Sequence, residues 1–342
     1  MTTQEYIIPD LLRDWPWERK LHPCYPETKA KASAWIESLR PFSQRGQKAY
    51  NDCDFSLLAS LTYSARETQE FLRVGCDLMN FYFVYDEFTD ISHPQEAEKL
   101  AEEVIRVMTD ESKGSSVPAV IYERFWSGAR ALCNPESTCL HRFHKFMEEY
   151  LHSVTQESID REEHNVSRTL DDYLDLRRRT SAGRPTLILY EFGLDLPEEV
   201  VTHPIVESLI TAGTELIICV NDMHSYVREH ACGFAEHNII THIMRDHNLE
   251  LQGAFDWLEE YANRVIQQFL SNILRLPSWG PAIDSRVRNY LDGIGQWVRG
   301  NDDWSCEAKR YYGEDGMKVK ETRRVNLARK SDIFLEMVDT GI

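Results

Sequence analysis

The chain has no uninterrupted apolar run near the roughly 20 residues that a membrane span needs. Its first residues, Met-Thr-Thr-Gln-Glu-Tyr-Ile-Ile-Pro-Asp, lack the charged-then-apolar order of a secretory leader. Positive charge is short: 38 Lys and Arg face 56 Asp and Glu, a net charge of −18. That balance argues against nucleic acid or an anionic membrane surface as partner. No CxxC pair occurs among Cys24, Cys53, Cys76, Cys133, Cys139, Cys219, Cys232 and Cys306. Several sit inside apolar stretches, so they read as reduced core residues and exclude a disulfide framework or a zinc site. A cytoplasmic protein is expected, in which the glycosylation pattern Asn165-Val166-Ser167 would go unused. No Gly-, Ser- or Pro-rich stretch divides the chain and no segment repeats. The 342 residues, 42% hydrophobic, fit one large domain or two smaller ones.

Alternation of apolar and polar residues is scarce, which leaves little room for a sheet. Helical i, i+3, i+4 spacing of apolar residues is present at Ala30–Leu39, Thr68–Tyr85, Gln95–Met108, Cys139–Gln156, Ser167–Thr180, Ile205–His230 and Gly253–Leu274. Pro94, Pro118, Pro135, Pro197, Pro204 and Pro277 punctuate these segments. Ser167 and Asn238 are suited to begin helices as N-caps. The expectation is an all-α bundle of roughly ten or more helices, given helices of ~10–14 residues plus loops.

The most informative stretch is Asn221-Asp222-Met223-His224-Ser225-Tyr226-Val227-Arg228-Glu229. Asn221, Ser225 and Glu229 are spaced by four, so on a helix their amide, hydroxyl and carboxylate oxygens form one stripe. Oxygen donors in that arrangement suit a hard cation such as Mg²⁺, which takes a few protein ligands beside water and phosphate oxygens. The preceding Leu216-Ile217-Ile218-Cys219-Val220 is apolar, so the stripe continues a buried helix. A second acidic group, Asp86-Glu87-Phe88-Thr89-Asp90, closes the aromatic run Met79–Tyr85. Asp86 and Asp90 share a face, and carboxylates at the end of such a helix are costly unless paired or bound to metal.

In this order the two groups resemble the metal-binding motifs of class I terpene cyclases. Leu176-Arg177-Arg178-Arg179-Thr180 resembles the diphosphate-sensor segment of that family, and Asn301-Asp302-Asp303-Trp304-Ser305 followed by Arg310-Tyr311 resembles its C-terminal Arg-Tyr motif. Pro9-Asp10-Leu11-Leu12, Trp15-Pro16-Trp17, Cys53–Ser60 and Gly75–Asn80 look like fungal sesquiterpene synthases, similar to the basidiomycete protoilludene and cadinol-type group. One departure stands out: Ala182 occupies the place of the glycine that follows the family's sensor, with Gly183 after it. The sensor is Arg178 in the preferred register, which keeps Leu176 and Thr180 in their family positions, or Arg179 if the loop is shifted.

The resemblance implies a single helical domain over residues 1–342, built around a central cavity, with segments of about 1–25 and 314–342 packing on or near it. It implies three Mg²⁺ ions, held by Asp86 and Asp90 on one side and by Asn221, Ser225 and Glu229 on the other. Arg178, Arg310 and Tyr311 would grip the diphosphate of farnesyl diphosphate, whose cyclisation gives a sesquiterpene hydrocarbon or alcohol. Phe81, Tyr82, Tyr85 and Trp304, near the motifs in sequence, are the candidates to face the carbocation, because aromatic faces stabilise positive charge without attacking it. The protein would be a monomer or a homodimer. A chain-elongating isoprenyl diphosphate synthase is the rival reading, since Asp171-Asp172-Tyr173-Leu174-Asp175 has the spacing of a second DDxxD motif. Arginines at 177–179 explain those aspartates as i, i+3 and i+4 ion-pair partners. A cyclase for a C20 substrate is a further alternative.

Overall fold

The computed structural model describes residues 5–109, 112–163 and 168–327. Among these lie fifteen α-helices and one short two-stranded ribbon. All seven segments of helical periodicity are helices, most with longer ends: Tyr25–Leu39, Gln69–Thr89, Pro94–Thr109, Thr138–Glu163, Leu170–Thr180, Pro204–Cys232 and Leu251–Leu274. Five further helices of eight or more residues carried no such signal: Gln44–Cys53, Phe55–Thr62, Val117–Ala131, Ile239–His247 and Pro281–Glu307. Buried side chains from nearly every helix join in one continuous core.

Start and stop chemistry fixes the helices that matter for the site. The oxygen of Thr68 accepts from the Phe71 amide at 3.3 Å and caps Gln69–Thr89. Pro204 opens the longest helix, where its missing N–H costs nothing and its fixed φ fits. That helix ends at Gly233, whose φ of 85° a side chain would resist, and the Phe234 amide closes back on the Glu229 carbonyl at 2.8 Å. Pro204–Cys232 is long and apolar enough to cross a membrane, yet it runs through the core with 61% of its most apolar window buried. Leu170–Thr180 is capped by Thr169, two residues after the expected Ser167, which lies outside the described residues. Thr169 and Asp172 cap it reciprocally in a capping box. Asn238 does cap Ile239–His247, accepting from the Ile240 amide at 3.0 Å.

The chain ends are tied together. Glu5–Ile7 pairs antiparallel with Arg324–Asn326, with Tyr6 opposite Val325. Both of these inward residues are 3% exposed, and Tyr6 stacks on Phe255 at 4.9 Å. Residues beyond the ribbon run over Pro281–Glu307: Trp15 Nε1 donates to the Gly295 carbonyl at 2.9 Å, and Arg299 donates to the carbonyls of Leu12 and Trp17. A Cβ at Gly295 would lie 2.1 Å from the Trp17 ring, so the glycine lets strap and helix meet. The C-terminal segment from about 314 is described only to residue 327.

Candidate active site

A cavity of about 210 Å³ opens between Gln69–Thr89, Thr138–Glu163, Leu170–Thr180, Pro204–Cys232 and Pro281–Glu307. Asp86, Asp90, Asn221, Ser225, Glu229, Arg310 and Tyr311 all line it, as do Tyr82 and Trp304. Two of the expected aromatic residues do not. Phe81 turns to Tyr122, at 4.8 Å between rings, and Tyr85 is fully buried beside Phe81. The helical period gives the reason: Met79, Tyr82, Phe83, Asp86 and Asp90 share one face, and Phe83 takes the lining place.

The stripe on Pro204–Cys232 is wired on every side. Asn221 Nδ2 donates to the Tyr311 hydroxyl at 3.0 Å. Three residues on, His224 is fully enclosed between Asp302, at 3.0 Å from Nε2, and the Tyr312 hydroxyl, at 2.8 Å from Nδ1. Asp222 points away from the stripe and accepts from Tyr173, from the Ile239 amide and from Arg177. Burial and the Asp222 charge push the Glu229 carboxyl up to about 7.

Arg177, not Arg178 or Arg179, faces the cavity. Its guanidinium donates to Asn221 Oδ1 at 2.8 Å and to Asp222 at 2.9 Å. Arg178 turns 100° further round the helix and is held outside by Glu215 at 2.6 Å and Asp175 at 2.6 Å. Arg179 is exposed. Buried, negative Asp222 selects which of the three arginines turns inward. The loop departure has a structural answer too. Ala182 lines the cavity and carries the left-handed turn, φ 53°, that caps Gly183–Ile188. A left-handed alanine costs about 1–2 kcal/mol.

Further polar residues line the cavity that no motif had marked. Arg161, from Thr138–Glu163, lies 3.4 Å from Asp90 and donates to the Thr89 carbonyl at 2.9 Å. Burial pushes the Glu157 carboxyl up against the opposing pull of Arg177. Arg228 and Arg310 bracket Glu87 at 4.0 and 3.8 Å, and Arg310 also lies 4.0 Å from Asp86 and 4.8 Å over the Phe83 ring. Asp90 is raised well above the usual carboxylate range by desolvation and by Asp86. Arg228, inside the Asn221–Glu229 stretch, was legible by its neighbours; Glu157 and Arg161 sit on an ordinary amphipathic helix that gave no signal.

Among the described residues, no three His, Cys, Asp or Glu side chains converge into a closed metal cage. The expected donors that face the cavity are oxygens of one amide, one hydroxyl and three carboxylates, from two helices. Such a set fits a hard divalent cation that completes its shell with water and ligand oxygens. Arg177, Arg228 and Arg310 stand beside it with the planar forks that suit phosphate.

Comparison with known proteins gives the family and the fold. Among curated proteins, the chain is 50% identical over 346 residues to sesquiterpene synthase Agr8 of Cyclocybe aegerita, covering 100% of this chain and 97% of that one. It is 39% identical over 347 residues to a Delta(6)-protoilludene synthase of Stereum hirsutum, covering 99% and 93%. The fold matches germacradien-4-ol synthase from Streptomyces citricolor with a TM-score of 0.74 at 22% identity, over 84% of this chain and 98% of that one. Residues 77–268 match the family described as terpene synthase family 2, C-terminal metal binding, and with relatives this similar along its whole length the chain belongs to the terpene synthase family.

Proposed function

We propose that the chain is a single-domain, Mg²⁺-dependent sesquiterpene cyclase acting on farnesyl diphosphate. The observation that carries the reading is one cavity with opposed oxygen-donor edges, Asp86 and Asp90 against Asn221, Ser225 and Glu229, above apolar walls that include Leu58, Met79, Phe83, Ile217 and Trp304. Three Mg²⁺ ions held at those edges would neutralise the charge that builds on the leaving diphosphate. Arg177, Arg228 and Arg310 donate charge-assisted hydrogen bonds to the same oxygens, and Tyr311 adds a hydroxyl beside Asn221. The allylic C–O bond breaks, its electron pair leaves with the diphosphate, and the farnesyl cation remains over Tyr82, Phe83 and Trp304. Those walls exclude water while a double bond attacks the cation and a ring closes. Loss of a proton, or capture of one water, ends the reaction.

The rival elongation chemistry needs Asp171, Asp172 and Asp175 at a metal. None lines the cavity: Asp171 is exposed, Asp172 belongs to the helix cap, and Asp175 pairs with Arg178. The deciding assay is purified protein with farnesyl diphosphate and Mg²⁺, read by gas chromatography and mass spectrometry. A cyclic C15 product is expected, lost on chelation. Undiminished turnover in excess chelator would sink the proposal, and a preference for geranylgeranyl diphosphate would move it to the C20 class.

A further inference from the structure

Asn238 belongs to none of the motifs and sits on a different helix from the stripe, as the cap of Ile239–His247. Its side chain is fully buried. The oxygen end accepts from the Ile240 amide at 3.0 Å. The nitrogen end reaches back to Pro204–Cys232, donating to Glu229 Oε2 at 2.8 Å and to the Asp222 carbonyl at 2.8 Å, with Ser225 Oγ at 3.2 Å. One amide therefore touches both the hydroxyl and the carboxylate of the stripe.

The residue type follows from this double duty. Asp, Ser and Thr cap helices about as well as Asn. None of them offers an acceptor at one end and an NH₂ group at the other. The cap bond also fixes the amide orientation, because a flipped side chain would turn NH₂ toward the Ile240 amide and oxygen toward a carboxylate. Asn238 is thus locked with its donors against Glu229. By binding Oε2 it pins the carboxylate rotamer and leaves the second oxygen for a cation. The adjoining Ile239 amide holds Asp222 at 3.0 Å, so the same turn of backbone also sets the acceptor that draws Arg177 inward.

We infer that Asn238 is a positioning residue for the Ser225–Glu229 half of the metal site, acting through its amide donors and separably from its cap. Partners that orient metal ligands without touching the metal are typically worth about 10–100-fold in affinity. The inference rests on the metal-dependent reaction proposed above.

The test measures binding as well as turnover. Apoprotein is titrated with Mg²⁺ at fixed inorganic diphosphate, and the rise in melting temperature gives the half-saturating Mg²⁺ concentration. Asn238→Ser keeps a cap oxygen and loses the donors; Asn238→Asp keeps the cap and the shape and loses the donors. Both should raise the midpoint roughly tenfold or more, and the Mg²⁺ dependence of turnover should shift in parallel. Ser116→Ala, which removes the cap of Val117–Ala131 far from the cavity, should lower the melting temperature and leave the Mg²⁺ midpoint in place. An unchanged or lowered midpoint in both Asn238 variants overturns the assignment and reduces Asn238 to a helix cap. Failure of the wild type to respond to Mg²⁺ and diphosphate would instead defeat the proposed function.

Discussion

The two edges of the cavity are built differently. The aspartate edge stands at the C-terminal end of Gln69–Thr89, where Asp86 and Asp90 are 46% and 42% exposed in their side chains. Their cationic neighbours keep loose distances, 4.0 Å for Arg310 and 3.4 Å for Arg161. On the opposite edge Asn221 and Ser225 lie two or more turns inside their helix, and Glu229 lies in its last turn. Ser225 is 3% exposed, and Arg177, Tyr311 and Asn238 hold its members by hydrogen bonds of 2.8–3.2 Å. One edge is held in place by hydrogen bonds within the protein; the carboxylates of the other have only loose ion pairs. A pre-set edge loses more when one member is removed, since its partners are left buried and unpaired.

The largest effect should come from the pre-set edge. Glu229→Gln is expected to cut turnover by more than the roughly 100-fold that outer partners of metal ligands reach, with helicity retained by circular dichroism; near wild-type turnover would show that the stripe is not a ligand set. Next, Arg177→Lys should cost on the order of 100-fold, because lysine keeps charge and loses the fork. Arg178→Lys should cost less than about fivefold, the scale of a partly exposed ion pair. A reversed order in steady-state assays would place Arg178 at the diphosphate.

The pH dependence tests the pre-set edge through its carboxylate. Glu229, raised to about 7 by burial and Asp222, is protonated on the acid side of that value and must lose a proton to bind a cation. The Mg²⁺ required for half-maximal turnover should therefore climb as pH falls through 7, approaching about tenfold per unit below it; a flat requirement between pH 8 and 6 would contradict this. On the looser edge, Asp86→Asn should exceed Asp90→Asn in kcat/KM loss, because Asp90 is shared with Arg161. The smallest effect belongs outside the cavity. Asp171→Ala with Asp172→Ala should leave turnover within about twofold and lower stability by about 1 kcal/mol through the lost cap of Leu170–Thr180. Collapse of activity there, with chain extension when isopentenyl diphosphate is supplied, would favour the elongating reading.

The sequence carried most of this where a stripe was its signature. Seven helices could be read, and with them the residues of both clusters that meet at one cavity, because burial on one side leaves a period. Phe55–Thr62 is buried at every position, so its pattern has no polar face to mark it. Pro281–Glu307 holds glycines at 293, 295 and 300, which weaken a helix on propensity and make sense only against Tyr190, Trp17 and the backbone of Leu61–Thr62. The arginine register failed for a similar reason. Three adjacent arginines point in three directions, and the choice is made by Asp222, forty-five residues away from Arg177. Phe81 and Tyr85 were chosen by nearness in sequence; the face of the helix gave the place to Phe83. The expected absence of a sheet held for the helical body and missed the ribbon of Glu5–Ile7 with Arg324–Asn326, too short to alternate recognisably.

That ribbon bears on how related genes are read. Residues 5–8 are bonded to 323–326, the stretch that follows Arg310–Tyr311, through the ribbon and the Ile8 amide on the Arg323 carbonyl at 2.9 Å. A related gene that does not encode the counterpart of residues 5–8 would keep all four motifs and lose this clasp. Its product would pass every motif test as an intact relative, yet the chain holding the Arg-Tyr segment would end unbraced. For this architecture, a strand that can pair with the counterpart of residues 324–326 belongs among the criteria for declaring a homologue functional.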